Sequence, residues 1–277
     1  MGLSILILTY NEEANLPACL DSIREFSDIV VLDSFSTDST VELARERGCR
    51  VFQRKFDDFG SQRNYALDQI PFEHDWLFQL DADERFTPEF TREVLEVVRA
   101  DNRSGYMVPS KLMFQGRWLK HAGMYPSYQM RLLKVGEIRF VKHGHGQRES
   151  DPKRGLGKLK EGYLHYNFSK GIEDWFAKHN RYSTEEARLA LAELRDEPFY
   201  WSGAWASDSI ARRRWMKQLA ARLPFRPTLR FFYIYFLRLG FLDGMAGFHY
   251  ARLLSTFQWM IDLKMDEFQA KEQGKTL

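Results

Sequence analysis

The first 100 residues alternate between short, continuous apolar runs and segments whose apolar residues recur at helical spacing. A strand that is buried on both faces is apolar throughout, so the runs predict β-strands at residues 3–10, 28–33, 50–56 and 75–80. The segments that follow these runs predict helices that begin near residues 11, 36, 60 and 87. Regular alternation of strand and helix predicts an α/β fold, with a parallel sheet and helices on both of its faces.

The pattern changes after residue 101. Residues 105–114 and 129–134 predict strands separated by loops rich in Gly, Trp and Tyr, and the chain reads as helical from Gly171 onward. We therefore predict an α/β domain over residues 1–170, with halves at 1–100 and 101–170, followed by a helical region over residues 171–277. The second half of the domain is expected to receive a second substrate.

The composition is that of a folded protein without the strong positive charge that is typical of nucleic-acid binding. The chain has 277 residues, of which 44% are hydrophobic and 28% charged, and a formal net charge of +2. This size allows a substantial core, and the low net charge argues against general nucleic-acid binding. The two cysteines lie outside any metal-ligand spacing, no secretory leader begins the chain, and no apolar stretch reaches about 20 residues. We expect a cytoplasmic location and no spanning helix.

Polar and acidic residues follow three of the predicted strands, at the point where each strand ends. The segments are Thr9-Tyr10-Asn11-Glu12-Glu13, Asp33-Ser34-Phe35-Ser36-Thr37-Asp38 and Asp81-Ala82-Asp83-Glu84. The carboxyl ends of parallel strands meet at one edge of a sheet, where open α/β sheets bind ligands. Asp81 and Asp83 can face the same way on an extended backbone, and their oxygens suit Mg²⁺ or Mn²⁺. The tripeptide alone is weak, because a chain with 18 Asp in 277 residues is expected to contain roughly one Asp-x-Asp by chance.

With these motifs the chain resembles the inverting family-two glycosyltransferases of GT-A fold, over about residues 3–115. The resemblance implies a nucleotide-sugar-binding sheet sandwiched by helices, with residues 1–100 binding the donor and residues 101–170 the acceptor. It implies Asp83 as the principal ligand of a Mg²⁺ or Mn²⁺ ion that bridges the donor diphosphate. Asp81 and a late histidine, His165, are predicted to share that ion. The residues implied in donor binding are Thr9, Asn11, Glu12, Asp33, Ser34, Arg63 and Asp81.

Several of these residues have an ordinary structural alternative. Asn11 and Asp38 could cap helices, because Asn and Asp are favoured at helix N-termini. Arg63 could lie on a solvated helix face, and His165 could be a structural, hydrogen-bonded histidine. Asp33 is harder to explain in this way, since a separate cap residue is available in Asp38.

The candidate general base lies in the segment from Val141 to Glu149. Related enzymes that act on lipopolysaccharide or exopolysaccharide intermediates often carry a His-Glu element at this place, and this chain has a spaced His-Gly-Gln-Arg-Glu instead. The resemblance favours Glu149 as the base that activates the acceptor hydroxyl. The alternative is an exposed loop carboxylate that pairs with Arg148.

A basic and aromatic segment, residues 212–238, lies in the helical region. It contains eight basic residues and no acidic one, interleaved with Trp, Phe and Tyr. This composition is typical of contact with an anionic membrane surface, because cations attract acidic lipids and aromatic rings favour the interface. The alternative is that the rings simply pack the C-terminal helices. Nucleic-acid binding is not supported, since no recognised motif accompanies the charge.

These observations predict a metal-dependent, inverting glycosyltransferase, peripheral on the cytoplasmic face of a bacterial inner membrane. The expected donor is a UDP-sugar, and the expected acceptor is lipid-linked or a lipopolysaccharide core. One rival is a sugar-1-phosphate nucleotidyltransferase, but that class generally opens with a glycine-rich loop and residues 3–15 contain no glycine. The other rival is a non-catalytic, membrane-associated scaffold, which the intact acidic residues disfavour.

Overall fold

The computed structural model describes residues 2–143, 146–150, 152–196, 215, 219 and 223–275. It divides into two compact units, Met1–Gly171 and Ile172–Leu277.

The first unit begins with the predicted alternation of strands and helices. In chain order the elements are β1 (Leu3–Thr9), α1 (Leu16–Ser22), β2 (Asp28–Asp33), α2 (Thr40–Glu46), β3 (Arg50–Gln53), α3 (Phe59–Gln69), β4 (Trp76–Asp81), β5 (Glu84–Arg85) and α4 (Pro88–Ala100). Strands dominate the remainder, which comprises β6 (Gly105–Phe114), β7 (Arg117–Trp118), β8 (Ser127–Lys134), β9 (Phe140–His143), β10 (Gly146–Glu149), β11 (Leu156–Lys158) and β12 (Tyr163–His165). The short strands from β9 onward have no clear apolar run and were not predicted.

The main sheet is mixed rather than wholly parallel. Its strand order is β3-β2-β1-β4-β8-β6-β12-β5, and β3, β2, β1 and β4 are mutually parallel, as the alternation predicted. β8 runs antiparallel to both β4 and β6, while β12 pairs parallel with β6 and antiparallel with β5. β9 and β10 form a separate antiparallel hairpin. This topology carries the last strand, β12, back to the turn that follows β4.

Helices cover both faces of the sheet, which confirms the predicted α/β class. α1, α2 and α4 pack on one face, where Phe78 of β4 contacts Phe90 of α4, and α3 packs on the other. α4 begins where Thr87 accepts a hydrogen bond from the Phe90 amide and Pro88 presets the first turn. Phe90 is fully buried, a contribution of about 1.5–3 kcal/mol.

The second unit is helical, as predicted. It contains α5 (Gly171–Asp196), α6 (Arg226–Phe232) with a π-helical turn at Tyr233–Leu237, a 3₁₀ turn at Gly240–Asp243, and α7 (Gly244–Glu272). The Lys264 amino group on α7 donates hydrogen bonds to the Asn180 and Thr184 side chains, which joins α7 to α5.

No single helix in the described part of the chain is long and apolar enough to cross a membrane. The pair Arg226–Leu237 and Gly240–Glu272 reaches that hydropathy only when taken together, and it is bent by 73° at its break.

Candidate active site

The buried Asp33 carboxylate organises the loops at the carboxyl edge of the sheet. Its oxygens accept hydrogen bonds from Thr9 Oγ1 at 2.9 Å, from the Ser36 amide at 2.8 Å and from Gln53 Nε2 at 3.2 Å, and the Ser36 hydroxyl also donates to it. Asp33 therefore ties the ends of β1, β2 and β3 together. In the loop after β2, Ser34 Oγ accepts a hydrogen bond from Gln62 Nε2 on α3.

Asn11 joins the first loop to the second and does not cap α1. Its Oδ1 accepts a hydrogen bond from the Thr37 amide at 2.8 Å, and its own amide donates to Ser36 Oγ at 2.8 Å. Asn11 adopts a positive φ of 54°, which Asn tolerates better than most residues. Asp38, by contrast, does accept from the Thr40 amide at the start of α2. The N-caps are Asn15 for α1 and Ser39 for α2, so the capping alternative is wrong for Asn11, and Asp38 supports the start of α2 from the position before the cap.

Glu12 is a partly buried carboxylate with two side-chain partners. Asn15 Nδ2 donates to its Oε2 at 2.7 Å, and Lys170 Nζ donates to its Oε1 at 2.6 Å. Burial raises the pKa of Glu12, and these two donors oppose that effect. Lys170 was not predicted, and it brings the segment after β12 into contact with the loop after β1.

A buried ion-pair network holds the turn that contains the Asp-x-Asp motif. Arg131 Nη2, on β8, donates to Asp81 Oδ2 at 2.7 Å and to Glu84 Oε1 at 2.6 Å, and Glu84 Oε2 accepts from the Asp81 amide. Arg63 Nη2, on α3, lies 3.4 Å from Asp81 Oδ1. Both carboxylate oxygens of Asp81 are therefore engaged by arginines. Arg63 is buried, so the alternative that it lies on a solvated helix face is wrong.

The pKa values of Glu84 and Asp81 are shifted in opposite directions within this network. Burial raises the pKa of Glu84 to about 7, although Arg131 opposes that shift. Burial would also raise the pKa of Asp81, but Arg131 and Arg63 outweigh it and hold that pKa below the ordinary range. Asp81 is thus firmly ionised beside two guanidinium groups.

Asp83 and His165 lie side by side at the rim of this network. His165 Nε2 is 3.4 Å from Asp83 Oδ2, and both side chains are about one-fifth exposed, at 23% and 21%. β12 places the histidine there, because His165 pairs with Glu84 and the Tyr166 amide donates to the Asp83 carbonyl at 2.8 Å. Burial lowers the pKa of His165, but Asp83, supported by Glu84 and Asp81, raises it to about 8. The fold thus brings these two residues together, and their role as metal ligands stays a prediction.

One carboxylate and one imidazole are a suitable partial ligand set for Mn²⁺ or Mg²⁺, with phosphate oxygens filling other positions. Across the described ranges, no group of three His, Cys, Asp or Glu side chains forms a metal site by itself. The pair fits an ion that the protein shares with a phosphorylated ligand. Asp81 fits less well as a ligand, since arginines hold both of its oxygens.

Glu149 lies at the end of β10, opposite Phe140 of β9 in the hairpin. Its side chain, that of Arg148 and residue His145 lie outside what the structure describes, so the predicted base stays a prediction. The hairpin itself is fixed to α3, because Asn64 donates to the Phe140 carbonyl at 2.7 Å and accepts from its amide at 3.0 Å.

Known proteins include relatives of this chain. A family model described as "Glycosyl transferase family 2" matches residues 4–149, more than half of the chain. The lipopolysaccharide core biosynthesis glycosyltransferase LpsC of Rhizobium meliloti is 25% identical over 266 residues, which cover 91% of this chain and 90% of that protein. An uncharacterized glycosyltransferase of Rickettsia bellii is 25% identical over 199 residues, 67% of this chain and 66% of that protein.

Among solved structures, the alignment with S. aureus TarS 1-349 covers 99% of this chain and 92% of the TarS chain, with a TM-score of 0.43 and 17% sequence identity. The family match confirms the predicted enzyme class: the chain belongs to glycosyltransferase family 2.

Proposed function

We propose that the protein transfers a sugar from a nucleotide-sugar donor, a UDP-sugar, to a lipid-linked or lipopolysaccharide-core acceptor, with inversion at the anomeric carbon and with Mg²⁺ or Mn²⁺ bound. The observation that carries the proposal is the Asp83–His165 pair, 3.4 Å apart, at the sheet edge where the loops after β1 and β2 also meet. Ligands of open α/β sheets bind at this edge.

The nucleoside would lie against the two loops that Asn11 and Asp33 hold together. Two aromatic rings in these loops, Tyr10 and Phe35, are more than half exposed. Exposed rings beside hydrogen-bonding groups suit a base that stacks and a ribose that donates hydrogen bonds. Thr9, Glu12 and Ser34 complete this proposed donor site.

Asp83 and His165 would hold the metal ion, which when bound neutralises the charge that develops on the departing diphosphate. Arg131 and Arg63 keep Asp81 ionised and fix the turn, so Asp83 is presented in one orientation. We propose that Asp81 acts in donor binding through this network rather than as a principal ligand.

Glu149 is the proposed general base. It would accept the proton of the acceptor hydroxyl as the new carbon–oxygen bond forms on one face of the sugar and the bond to phosphate breaks on the other. A single displacement of this kind inverts the anomeric centre. The β9–β10 hairpin, held by Asn64, would position this residue.

The similarity to LpsC supports the proposed acceptor, because the name of that protein refers to lipopolysaccharide core biosynthesis. The two proteins align along most of their length. An apolar surface of the second unit also supports a lipid-linked acceptor. Most of the exposed large apolar side chains in the described residues lie on this surface, which comprises Leu223, Phe225, Leu229, Phe232, Tyr233, Phe236, Leu237, Leu239, Phe241, Leu242 and Met245.

The apolar surface suits the interface of a bilayer. Asp243, the only acidic residue between positions 223 and 261, is buried, so no carboxylate opposes contact with lipid. Arg226 pairs with Asp262 at 2.9 Å and Arg230 donates to Gln258 at 3.0 Å, so these cations face α7. The exposed side chains of α6 and its π-helical turn are apolar apart from Thr228, and they comprise Leu229, Phe232, Tyr233, Phe236 and Leu237. We propose that these side chains insert into the interface of an anionic membrane in peripheral binding at the cytoplasmic face of the inner membrane. The basic residues at 212–214, 217 and 222 lie outside the described residues.

A screen of nucleotide sugars, with and without Mn²⁺ or Mg²⁺, tests the reaction. The proposal requires that one sugar donor is consumed in a metal-dependent way and that a nucleoside diphosphate is released. Formation of pyrophosphate from a nucleoside triphosphate and a sugar 1-phosphate would instead indicate a nucleotidyltransferase. Absence of metal-dependent nucleotide binding would indicate a scaffold.

A further inference from the structure

Lys170 reaches across from the segment after β12 to the loop after β1. Its amino group donates to Glu12 Oε1 at 2.6 Å and lies 3.5 Å from the Tyr10 carbonyl oxygen. The Lys170 side chain is 28% exposed and the Glu12 side chain 20%. The ion pair therefore lies at the surface of the proposed donor site.

The same segment carries His165. The Tyr166 amide donates to the Asp83 carbonyl at 2.8 Å, and the Ser169 amide donates to the Tyr166 carbonyl at 2.9 Å, which turns the chain toward Lys170. His165 and Lys170 thus lie on one short, hydrogen-bonded segment, and their side chains contact the carboxylates of Asp83 and Glu12, respectively. Burial is the main reason that the pKa of Glu12 is raised, and the negative charge of Asp83 adds to the same effect.

Three arginines near this site whose side chains the structure describes already have other partners. Arg131 and Arg63 are buried against Asp81, and Arg85 donates to the backbone carbonyls of Ala82 and Asn15. Lys170 differs, because its partner Glu12 keeps a second donor in Asn15 if the lysine moves away. A partly exposed ion pair is weak, so exchange to a more highly charged anion is favourable.

We infer that Lys170 binds the diphosphate of the donor and exchanges its ion pair from Glu12 to the phosphate oxygens when the donor binds. This inference rests on the proposed nucleotide-sugar site. Glu12 then competes with the diphosphate for the lysine, in addition to its proposed contact with the nucleoside. The contribution of Lys170 is therefore specific to the phosphates and absent for a free nucleoside.

Calorimetric titration of the full chain with UDP and with uridine, in Mn²⁺, separates these contributions. Lys170→Ala should weaken UDP binding about tenfold, in line with the loss of one charge-assisted contact, and leave uridine binding unchanged. Lys170→Arg should retain most of the UDP affinity. Glu12→Gln should raise the ratio of UDP affinity to uridine affinity, because the competing carboxylate charge is gone.

Lys134→Ala is the matched control. It removes a lysine that pairs with Asp101 at 2.7 Å beside the start of β4, at the opposite edge of the sheet, and it should leave UDP binding unchanged. Equal affinity of wild type and Lys170→Ala for UDP would overturn the inference while the nucleotide site stands. Equal losses for UDP and uridine would also overturn it, since they indicate a structural role. Failure of the wild type to bind any nucleoside diphosphate in a panel, each tested beside its nucleoside, would instead reject the proposed function.

Discussion

Arg131 Nη2 lies 2.6 Å from Glu84 Oε1, although 47 positions separate the two residues in the sequence. The exposed fraction of the side chain is 3% for Arg131 and 0% for Glu84. The same guanidinium nitrogen also binds Asp81. A buried charge without its partner is destabilising, so Arg131 and Glu84 are held together. Their contact fixes the turn that presents Asp83.

Replacing Arg131 with Met should lower the free energy of unfolding by about 3–5 kcal/mol, because Glu84 and Asp81 lose their main buried counter-charge. Adding Glu84→Gln should recover part of that loss. Urea denaturation measures both effects. Arg139→Met is the control, since its pair with Asp68 is about half exposed and should contribute less than about 1 kcal/mol. Similar losses for Arg131→Met and Arg139→Met would contradict the role given to the buried network.

Glu149→Gln should reduce sugar transfer by a factor of about 10² or more, because the acceptor hydroxyl loses its proton acceptor. Binding of UDP should be unchanged, since Glu149 is not placed in the donor site. Transfer assays and calorimetry on the same preparation measure the two effects. Normal turnover in the variant would remove Glu149 from the mechanism and direct attention to other residues of the acceptor half.

Asp28 should make the stability of the first unit depend on pH. Burial alone would raise the pKa of Asp28, but hydrogen bonds from Ser4, the Glu73 amide and Arg50 hold it below the ordinary value. A carboxylate with a lowered folded-state pKa stabilises the protein at neutral pH, and this contribution is lost as pH falls through that pKa. Melting temperatures of wild type and Asp28→Asn should therefore differ at pH 7 and converge below about pH 4.

Asp21→Asn is the comparison for that experiment, because Asp21 forms an exposed pair with Arg47 and should change the melting temperature little at any pH. A difference between wild type and Asp28→Asn that stays constant down to acid pH would contradict the assignment.

Phe225→Ser combined with Leu237→Ser should reduce binding to lipid vesicles about tenfold or more, since burying each side chain is worth about 1.5–3 kcal/mol. These two residues are the most exposed of the apolar surface, at 79% and 76%. Flotation with anionic and with zwitterionic vesicles measures the effect. Leu263→Ser, an exposed position further along α7, is the control. Wild-type protein that floats with neither lipid would reject the membrane surface.

The sequence predicted the core of the nucleotide half because its signals are local. Buried parallel strands leave continuous apolar runs, and the polar residues that follow them, such as Asn11 and Asp33, meet wherever parallel strands end together. His165 was selected only through the family resemblance, and the pairing of β12 with β5 explains why it reaches Asp83.

The ion-pair network could not be predicted in this way. Arg131 is a single basic residue within a predicted strand, and nothing in the sequence next to it indicates its partner. It contacts Asp81 because β8 pairs antiparallel with β4. Lys170 is likewise a single basic residue until the chain after β12 turns toward Glu12. In the basic segment of the second unit, Arg226 and Arg230 face α7, while five of the eight basic residues, Arg212, Arg213, Arg214, Lys217 and Arg222, lie outside the described residues. The contact of this segment with an anionic membrane surface therefore stays a prediction.

Calorimetric titration of UDP into wild type and Asp83→Ala, each with Mn²⁺ and with EDTA, tests whether Asp83 holds a metal ion that the nucleotide shares. We expect the wild type to bind UDP more tightly with Mn²⁺ than with EDTA, and Asp83→Ala to lose this difference while remaining folded. An Asp83→Ala variant with the same Mn²⁺-dependent affinity as wild type would contradict this role of Asp83.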